Sequence, residues 1–381
     1  MAYGDDIDVI GLRLSYFSTS SLYLLVCIAV TQCAAFQFRC EPVNTNFTCM
    51  VTNYNPKQEG TFLFNHMPER TNNIDFKNVI LAVVDNTIFG YIPAAVSTLT
   101  LSGSSAVRAI IVPQNISLFE IVVAEPSMVR MRFEKNCTLS RLQVTQSSLI
   151  AIPPTLGNLQ HLSFFKLNQS PIEQISLERF CNLSQLQSLN FKYNLIATIS
   201  FQGAIVPWCG PALVKLAFAN NKLRIVNMTV FASMRELRIL DLENNLIEIV
   251  EGHFTNPKIT TVILTNNKLL AIDLCRWNAM LSIISFSFNK NSLQLIPKCL
   301  QRMPAVQFIN FNNNKLTKIN IEAFAMLNEL KSLFFSNNAI RSIVNYRRPV
   351  PSSLKEVYME HNPLGLENVT KFFPSSVKIY T

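Results

Sequence analysis

One repeated pattern constrains this chain more than any other feature of its sequence. Four segments, LVKLAFANNKLRIV, LRILDLENNLIEIV, VQFINFNNNKLTKIN and LKSLFFSNNAIRSIV, follow L-x-x-L-x-L-x-x-N-x-L-x-x-I. The second apolar position of the L-x-L core recurs at steps of 22 to 27 residues, at Phe191, Phe218, Leu242, Leu264, Phe288, Phe311, Phe335 and Met359. Weaker copies extend upstream to Leu101 and Phe76. A period of this size indicates stacked short units, each burying its apolar face against its neighbours.

The pattern resembles the leucine-rich repeat. The resemblance implies an α/β solenoid, namely a horseshoe with a parallel concave β-sheet and a convex side of loops, 3₁₀ turns and short helices. We expect an N-terminal cap at 36–71 and a solenoid of about twelve or thirteen repeats at 72–381. Each L-x-L core becomes a short strand whose apolar side chains point inward. This accounts for a chain that is 49% hydrophobic and only 15% charged.

An asparagine follows each strong core three places later. A buried turn at this corner would leave backbone amides and carbonyls unpaired, and an amide side chain can satisfy both. We therefore interpret these residues as a structural ladder, formed by Asn194, Asn221, Asn245, Asn267, Asn291, Asn314, Asn338 and Asn362.

The N-terminus predicts secretion. The apolar run at 22–30 is too short to span a bilayer and fits a signal peptide at 1–35, cleaved after Ala35. An uncleaved anchor or a start codon placed too early are the alternatives. No later run predicts a membrane span. Glycosylation sequons support the extracellular assignment, with acceptors expected at Asn46, Asn115, Asn168, Asn182, Asn227 and Asn368.

Seven cysteines follow the predicted cleavage site, and their repeat register suggests pairings. Cysteines at equivalent positions of adjacent coils are about 5 Å apart, which suits a disulfide. The predicted bonds are Cys181–Cys209, Cys275–Cys299 and, within the N-terminal cap, Cys40–Cys49. Cys137 remains unpaired, either as a buried thiol or as the donor of an intermolecular disulfide.

The outward strand positions contain two candidate binding features. Phe308, Phe334 and Tyr358 lie on three successive strands, with Asn310 beside them, and exposed aromatic residues in register suit a protein interface. A covering loop is the alternative. A looser basic row is formed by Lys166, Lys192 and Lys215, for which a solvated face is the alternative.

No pattern in the sequence indicates catalysis, a cofactor or a metal site. The four histidines fall in separate repeats, and H-E-x-x-H, G-x-S-x-G and C-x-x-C motifs are missing. Without the predicted signal peptide the chain has 32 basic and 21 acidic residues, and this net charge of +11 suggests acidic partners or surfaces. Nucleic acid is not indicated, because the lysines are spread over many coils and the predicted compartment is extracellular.

The cysteine segment IDLCRWNAMLSIISFSFNKNSLQLIPKCL and the N-terminal cysteine pair are similar to the leucine-rich-repeat immune proteins of mosquitoes, in a form without a coiled coil. That resemblance implies a secreted protein-binding scaffold of innate immunity. Its partner would be a complement-like thioester protein or another leucine-rich-repeat protein. A Toll-like or adhesion receptor ectodomain, truncated before its membrane segment, is the main alternative, and an inhibitor solenoid is a further one.

Overall fold

The main feature of the fold is one long, almost entirely parallel β-sheet. The computed structural model describes residues 35–201, 212–344, 349–365 and 369–381. Within them, sixteen strands form the main sheet in chain order. Only the first two strands are antiparallel to each other, as a hairpin, and every later neighbour is parallel. This is the concave sheet of a leucine-rich-repeat solenoid, as the sequence predicts.

The strands of the main sheet are short because each coil supplies only one L-x-L core. They are Gln37–Val43, Asn46–Thr52, Thr71–Lys77, Thr98–Ser102, Glu120–Ala124, Arg141–Thr145, Phe164–Asn168, Ser188–Asn190, Lys215–Ala217, Ile239–Asp241, Thr261–Ile263, Ser285–Ser287, Phe308–Asn310, Ser332–Phe334, Glu356–Tyr358 and Lys378–Tyr380. The last of these adds one coil to the copies counted in the sequence, because its backbone pairs with Glu356–Tyr358.

The return path of the chain is built from 3₁₀ turns and additional short strands. The 3₁₀ helices are Leu156–Asn158, Leu177–Phe180, Met228–Phe231, Leu274–Arg276, Leu300–Arg302 and Ile321–Phe324. The additional strands pair within small parallel sheets: Val83–Val84, Ala109–Val112 and Arg130–Phe133; Gln174–Ser176 and Thr198–Ser200; Ile225–Asn227 and Ile249–Glu251; Lys318–Asn320 and Ser342–Val344. The L-x-x-I end of the repeat forms these pairs, which the sequence analysis did not predict.

Helices are few in the described part of the chain. The α-helices Pro56–Glu59, Phe62–Asn65 and Asn86–Phe89 lie near the N-terminus, residues 369–370 are also helical, and six coils between them carry a 3₁₀ helix instead. No helix among the described residues is long and apolar enough to cross a membrane.

The core is a continuous apolar column that follows the repeats. Phenylalanines at the second core position stack on one another between coils, with ring centroids 5.5 Å apart for Phe191 and Phe218 and 5.3 Å apart for Phe288 and Phe311. Phe335 continues the second stack at 5.5 Å. Such contacts add to the burial of apolar area.

The ladder asparagines join each coil to the one before it. In Asn291, Nδ2 donates to the carbonyl of Phe288 in its own coil and of Leu264 in the preceding coil, at 3.0 and 2.9 Å. Its Oδ1 accepts from the backbone N–H of Leu269 at 3.1 Å. All eight ladder residues make this set of three hydrogen bonds. The other seven are Asn194, Asn221, Asn245, Asn267, Asn314, Asn338 and Asn362.

Upstream, the same ladder continues with other side chains that sequence reasoning missed. Ser104 Oγ accepts from the backbone N–H of Val79 at 2.9 Å, and Glu125 Oε2 accepts from the backbone N–H of Ser104 at 2.5 Å. Ser147 and Ser170 share a hydroxyl hydrogen bond of 2.8 Å. Glu125 is fully buried, and burial raises the pKa of its carboxyl although Ser104 donates to it.

Two disulfides occur among the described residues at positions expected from the register. Cys40 and Cys49 pair across the N-terminal hairpin, with Cα atoms 4.0 Å apart. Cys275 and Cys299 join adjacent coils, with Cα atoms 5.1 Å apart. The third predicted bond is to Cys209, which lies outside the described residues, so that pairing stays a prediction.

Candidate functional site

The concave sheet presents three rows of outward side chains. The first row precedes the two core residues of each strand, the central row lies between them, and the third row follows them. Parallel pairing fixes which residues share a row: Lys166 and Asn190 are partners in the central row, as are Asn310 and Phe334. Side chains of one row on adjacent strands are about 4.8 Å apart and can stack.

An aromatic ladder occupies the C-terminal end of the central row. It consists of Phe334, Tyr358 and Tyr380, whose ring centroids are 4.7 and 4.5 Å apart with interplanar angles of 10° and 6°. All three rings are at least partly exposed, and Tyr380 is 37% exposed. Asn310 is the next residue of this row, and its Oδ1 accepts from the backbone N–H of Asn312 at 2.9 Å.

The predicted aromatic row was wrong at one end. Phe308 is exposed, but its backbone partner is Ser332, so it lies in the first row and not beside Phe334. Phe308 precedes its core residue Phe311 by three places, whereas Phe334 precedes Phe335 by one. Counting back from Phe311 would have excluded Phe308. Tyr380 is found by counting forward from Ile379, which is the core partner of Val357.

Two glutamates flank the aromatic ladder, one in each outer row. Glu356 Oε2 accepts hydrogen bonds from Ser332 Oγ and from the Tyr358 hydroxyl, both at 3.2 Å. Glu360 Oε2 accepts from Ser336 Oγ. Among the described residues neither carboxylate has an ion-pair partner. Loss of hydration, followed by the charge of Glu356, raises the pKa of the Tyr358 phenol.

The three lysines predicted to form a basic row lie in three different rows. Lys166 lies in the central row, Lys192 in the third row and Lys215 in the first row, because Lys166 pairs with Asn190 and Lys215 with Ser188. Lys192 is also neutralised, since its Nζ lies 2.6 Å from Oδ2 of buried Asp241, two strands away.

A cluster centred on Arg141 occupies the N-terminal half of the same sheet. Arg141 Nε donates to Glu120 Oε1 at 3.2 Å, and the guanidinium carbon lies 4.3 Å from the centre of the Phe164 ring. Gln143 Nε2 also donates to Glu120 Oε1, at 2.7 Å. Glu120, Arg141 and Phe164 are partners in the first row, a grouping that the sequence analysis did not predict.

The predicted glycan acceptors mostly leave the concave rows free. Exposed asparagines outside these rows are Asn46, Asn115, Asn182 and Asn227. Asn168 argues against its prediction: it is only 8% exposed and lies in the third row between neighbouring strands, so the folded sheet leaves little room for a glycan on its amide. Asn368 lies outside the described residues.

Cys137 is a free thiol buried in the core, with 1% exposure. Burial raises its pKa and disfavours the reactive thiolate. The structure therefore removes the intermolecular disulfide as an interpretation of this residue. In the described ranges, no cluster of histidine, cysteine or carboxylate side chains could hold a metal ion.

The concave parallel sheet, the repeated core and the amide ladder define a protein with a leucine-rich-repeat fold. Consistent with this, the profile described as "BspA type Leucine rich repeat region" matches six copies, over residues 157–273 and 207–331.

Podocan and keratocan are among the proteins with a similar sequence. Podocan of Mus musculus is 26% identical over 219 residues, 56% of this chain and 35% of podocan. Keratocan of Gallus gallus is 24% identical over 58% of this chain and 62% of keratocan. The chain thus spans less than two thirds of either relative.

Solved structures show the same fold at low identity. The LRIM1/APL1C complex aligns with a TM-score of 0.58 and 14% identity, covering 86% of this chain and 60% of that one. The Toll–Spatzle complex of Drosophila aligns with a TM-score of 0.53 and 15% identity, covering 80% and 49%.

Proposed function

We propose that this protein is a secreted protein-binding scaffold that engages its partner through the C-terminal end of the concave sheet. The observation that carries the proposal is the aromatic ladder of Phe334, Tyr358 and Tyr380. Stacked aromatic side chains on a rigid sheet offer a large contact area at a small cost in conformational entropy, and such residues dominate binding energy at protein interfaces.

The surroundings of the ladder support this assignment. The exposed sequons of the described residues lie outside the concave rows, so glycans attached there would leave the sheet accessible. Elsewhere on the sheet, Glu120 and Asp241 are paired with cations of the chain itself, whereas the side chains of Glu356 and Glu360 have only hydroxyl partners within the described ranges. Solenoids commonly use the concave surface formed by their repeats for binding.

We further propose a role in extracellular innate immunity, with a complement-like thioester protein or another leucine-rich-repeat protein as partner. Support comes from the similarity of the fold to a solved complex named LRIM1/APL1C, and from the cysteine segment that contains Cys275 and Cys299. The alternative is the ectodomain of a Toll-like or adhesion receptor, for which the similarity of fold to Toll is the support.

Capture of the partner tests the proposal. The tagged, secreted chain is used as bait in the extracellular fluid of its source organism, and bound proteins are identified by mass spectrometry. Replacing Phe334 and Tyr358 with serine should abolish capture without reducing secretion. Phe308→Ser is the matched control, because it removes an exposed phenylalanine from a different row of the same sheet.

The identity of the captured protein separates the two roles. A thioester protein or a second leucine-rich-repeat protein would support the immune scaffold, and a cytokine-like ligand would support the receptor ectodomain. Equal capture by the wild type and by the Phe334→Ser, Tyr358→Ser variant would refute the aromatic ladder as the binding surface.

A further inference from the structure

We propose that the aromatic ladder and its two flanking glutamates bind arginine side chains of the protein partner. The inference rests on the proposed protein-binding function and specifies the chemistry of that partner. Glu356 and Glu360 would accept hydrogen bonds from a guanidinium, while the stem of the arginine packs against the ladder. Arginine suits this site because it combines bidentate carboxylate recognition with stacking on aromatic rings.

The N-terminal half of the same sheet already holds one guanidinium between a carboxylate and an aromatic ring. There, Glu120 accepts from the guanidinium of Arg141, which also lies over the Phe164 ring. The three residues come from three adjacent strands and share one row. The chain therefore shows that a guanidinium fits between a carboxylate and an aromatic ring on this surface.

At the C-terminal end, the carboxylates and the rings are present but the arginine is missing. Neither Glu356 nor Glu360 has a cationic partner in the part of the chain that the structure describes. Lys378 is the first-row partner of Glu356 and exposed, yet it forms no ion pair with it. A partner arginine would supply the group that completes the arrangement.

The geometry places the two acids on opposite sides of the rings. Glu356 and Glu360 are four residues apart with Tyr358 midway, which corresponds to roughly 13 Å of extended backbone. The rings are too closely stacked, at 4.5 to 4.7 Å, to admit a guanidinium between them. The cation therefore binds along the exposed side of the ladder, within reach of a carboxylate on either flank.

Peptide selection tests the chemistry directly. A random 12-residue phage-displayed library is panned on the immobilised full chain, with counter-selection on the Phe334→Ser, Tyr358→Ser variant. Selected peptides are synthesised, and their affinities are measured by fluorescence anisotropy at two salt concentrations. We expect arginine enrichment, binding weakened by salt, and a loss of about tenfold or more in affinity when arginine is replaced by citrulline.

Charge variants of the protein provide the second part of the test. Glu356→Gln with Glu360→Gln should weaken binding by about tenfold or more, since a charge-assisted hydrogen bond is lost. Lys378→Gln is the matched control, because it removes a charge of opposite sign from the same row, and it should not weaken binding. Unchanged melting temperatures verify folding.

The outcomes distinguish this inference from the function on which it rests. Ladder-dependent peptides without arginine, or peptides indifferent to the glutamine variants, would overturn the inference and leave the proposed binding surface standing. Failure to select any ladder-dependent peptide would overturn the inference as well. Protein capture by the wild-type bait tests the proposed function separately.

Discussion

At the scale of single residues, the buried Glu125 is the most unusual member of the structural ladder. Elsewhere an asparagine both donates to carbonyls and accepts from a backbone amide, as Asn194 does. A carboxylate can only accept, whereas a protonated carboxyl can also donate. Burial raises the folded-state pKa of Glu125 above its ordinary value of 4.5, so the folded protein retains this proton more readily than the unfolded chain.

The consequence is a pH-dependent contribution to stability with a defined sign. The contribution from Glu125 is fully present below its unfolded pKa and is lost as the pH rises through the raised folded pKa. We expect the Glu125→Gln variant to lose this dependence and to be at least as stable as the wild type at neutral pH. Urea unfolding at a series of pH values measures the free energy of unfolding of both proteins. The same pH dependence in the wild type and in the variant would contradict the prediction.

At the scale of the repeat element, the ladder asparagines determine whether adjacent coils stay joined. Asn291 makes two hydrogen bonds to backbone carbonyls and accepts one from a backbone amide. Asn291→Ala leaves these buried groups unpaired and should reduce the free energy of unfolding by about 1–3 kcal/mol or more. Asn278→Ala, at an exposed asparagine, is the control and should change stability little. Equal melting temperatures for the two variants would contradict this role.

The repeat element also shows what the sequence can predict. Core residues and ladder asparagines recur at fixed positions, because every coil must bury the same face and pair the same backbone groups, and these were found from the pattern alone. The residue before each ladder asparagine was missed, although Asn220, Asn244 and Asn337 have positive φ there, a conformation that asparagine tolerates. Tyr193 adopts it as well, at φ 58°.

Rows across the sheet were predicted wrongly although the sequence contains them. The row of an outward residue follows from its distance to the core residues of its own coil, because core residues pair with core residues on adjacent strands; without that count, Phe308 was placed beside Phe334 and three lysines were placed in one row. The buried state of Asn168 and Cys137 likewise depends on neighbouring strands and not on the local sequence.

At the scale of the whole molecule, the structure is one-dimensional: each coil contacts mainly the coils before and after it. The described sheet therefore presents a rigid surface whose chemistry changes along its length. In its N-terminal half Glu120 is paired with Arg141 of the chain itself, and its C-terminal part combines exposed rings with two glutamates that have no ion-pair partner among the described residues. This asymmetry is why we assign partner binding to the C-terminal end.

Hydrogen exchange of this protein, free and in complex with the captured partner, tests most directly whether the partner binds at the C-terminal end of the concave sheet. We predict that the partner slows exchange of backbone amides in Ser332–Phe334, Glu356–Tyr358 and Lys378–Tyr380, while the 3₁₀ segments on the opposite side, such as Ile321–Phe324, exchange as in the free protein. Protection confined to the 3₁₀ side, with the three strands unchanged, would contradict binding at the concave sheet.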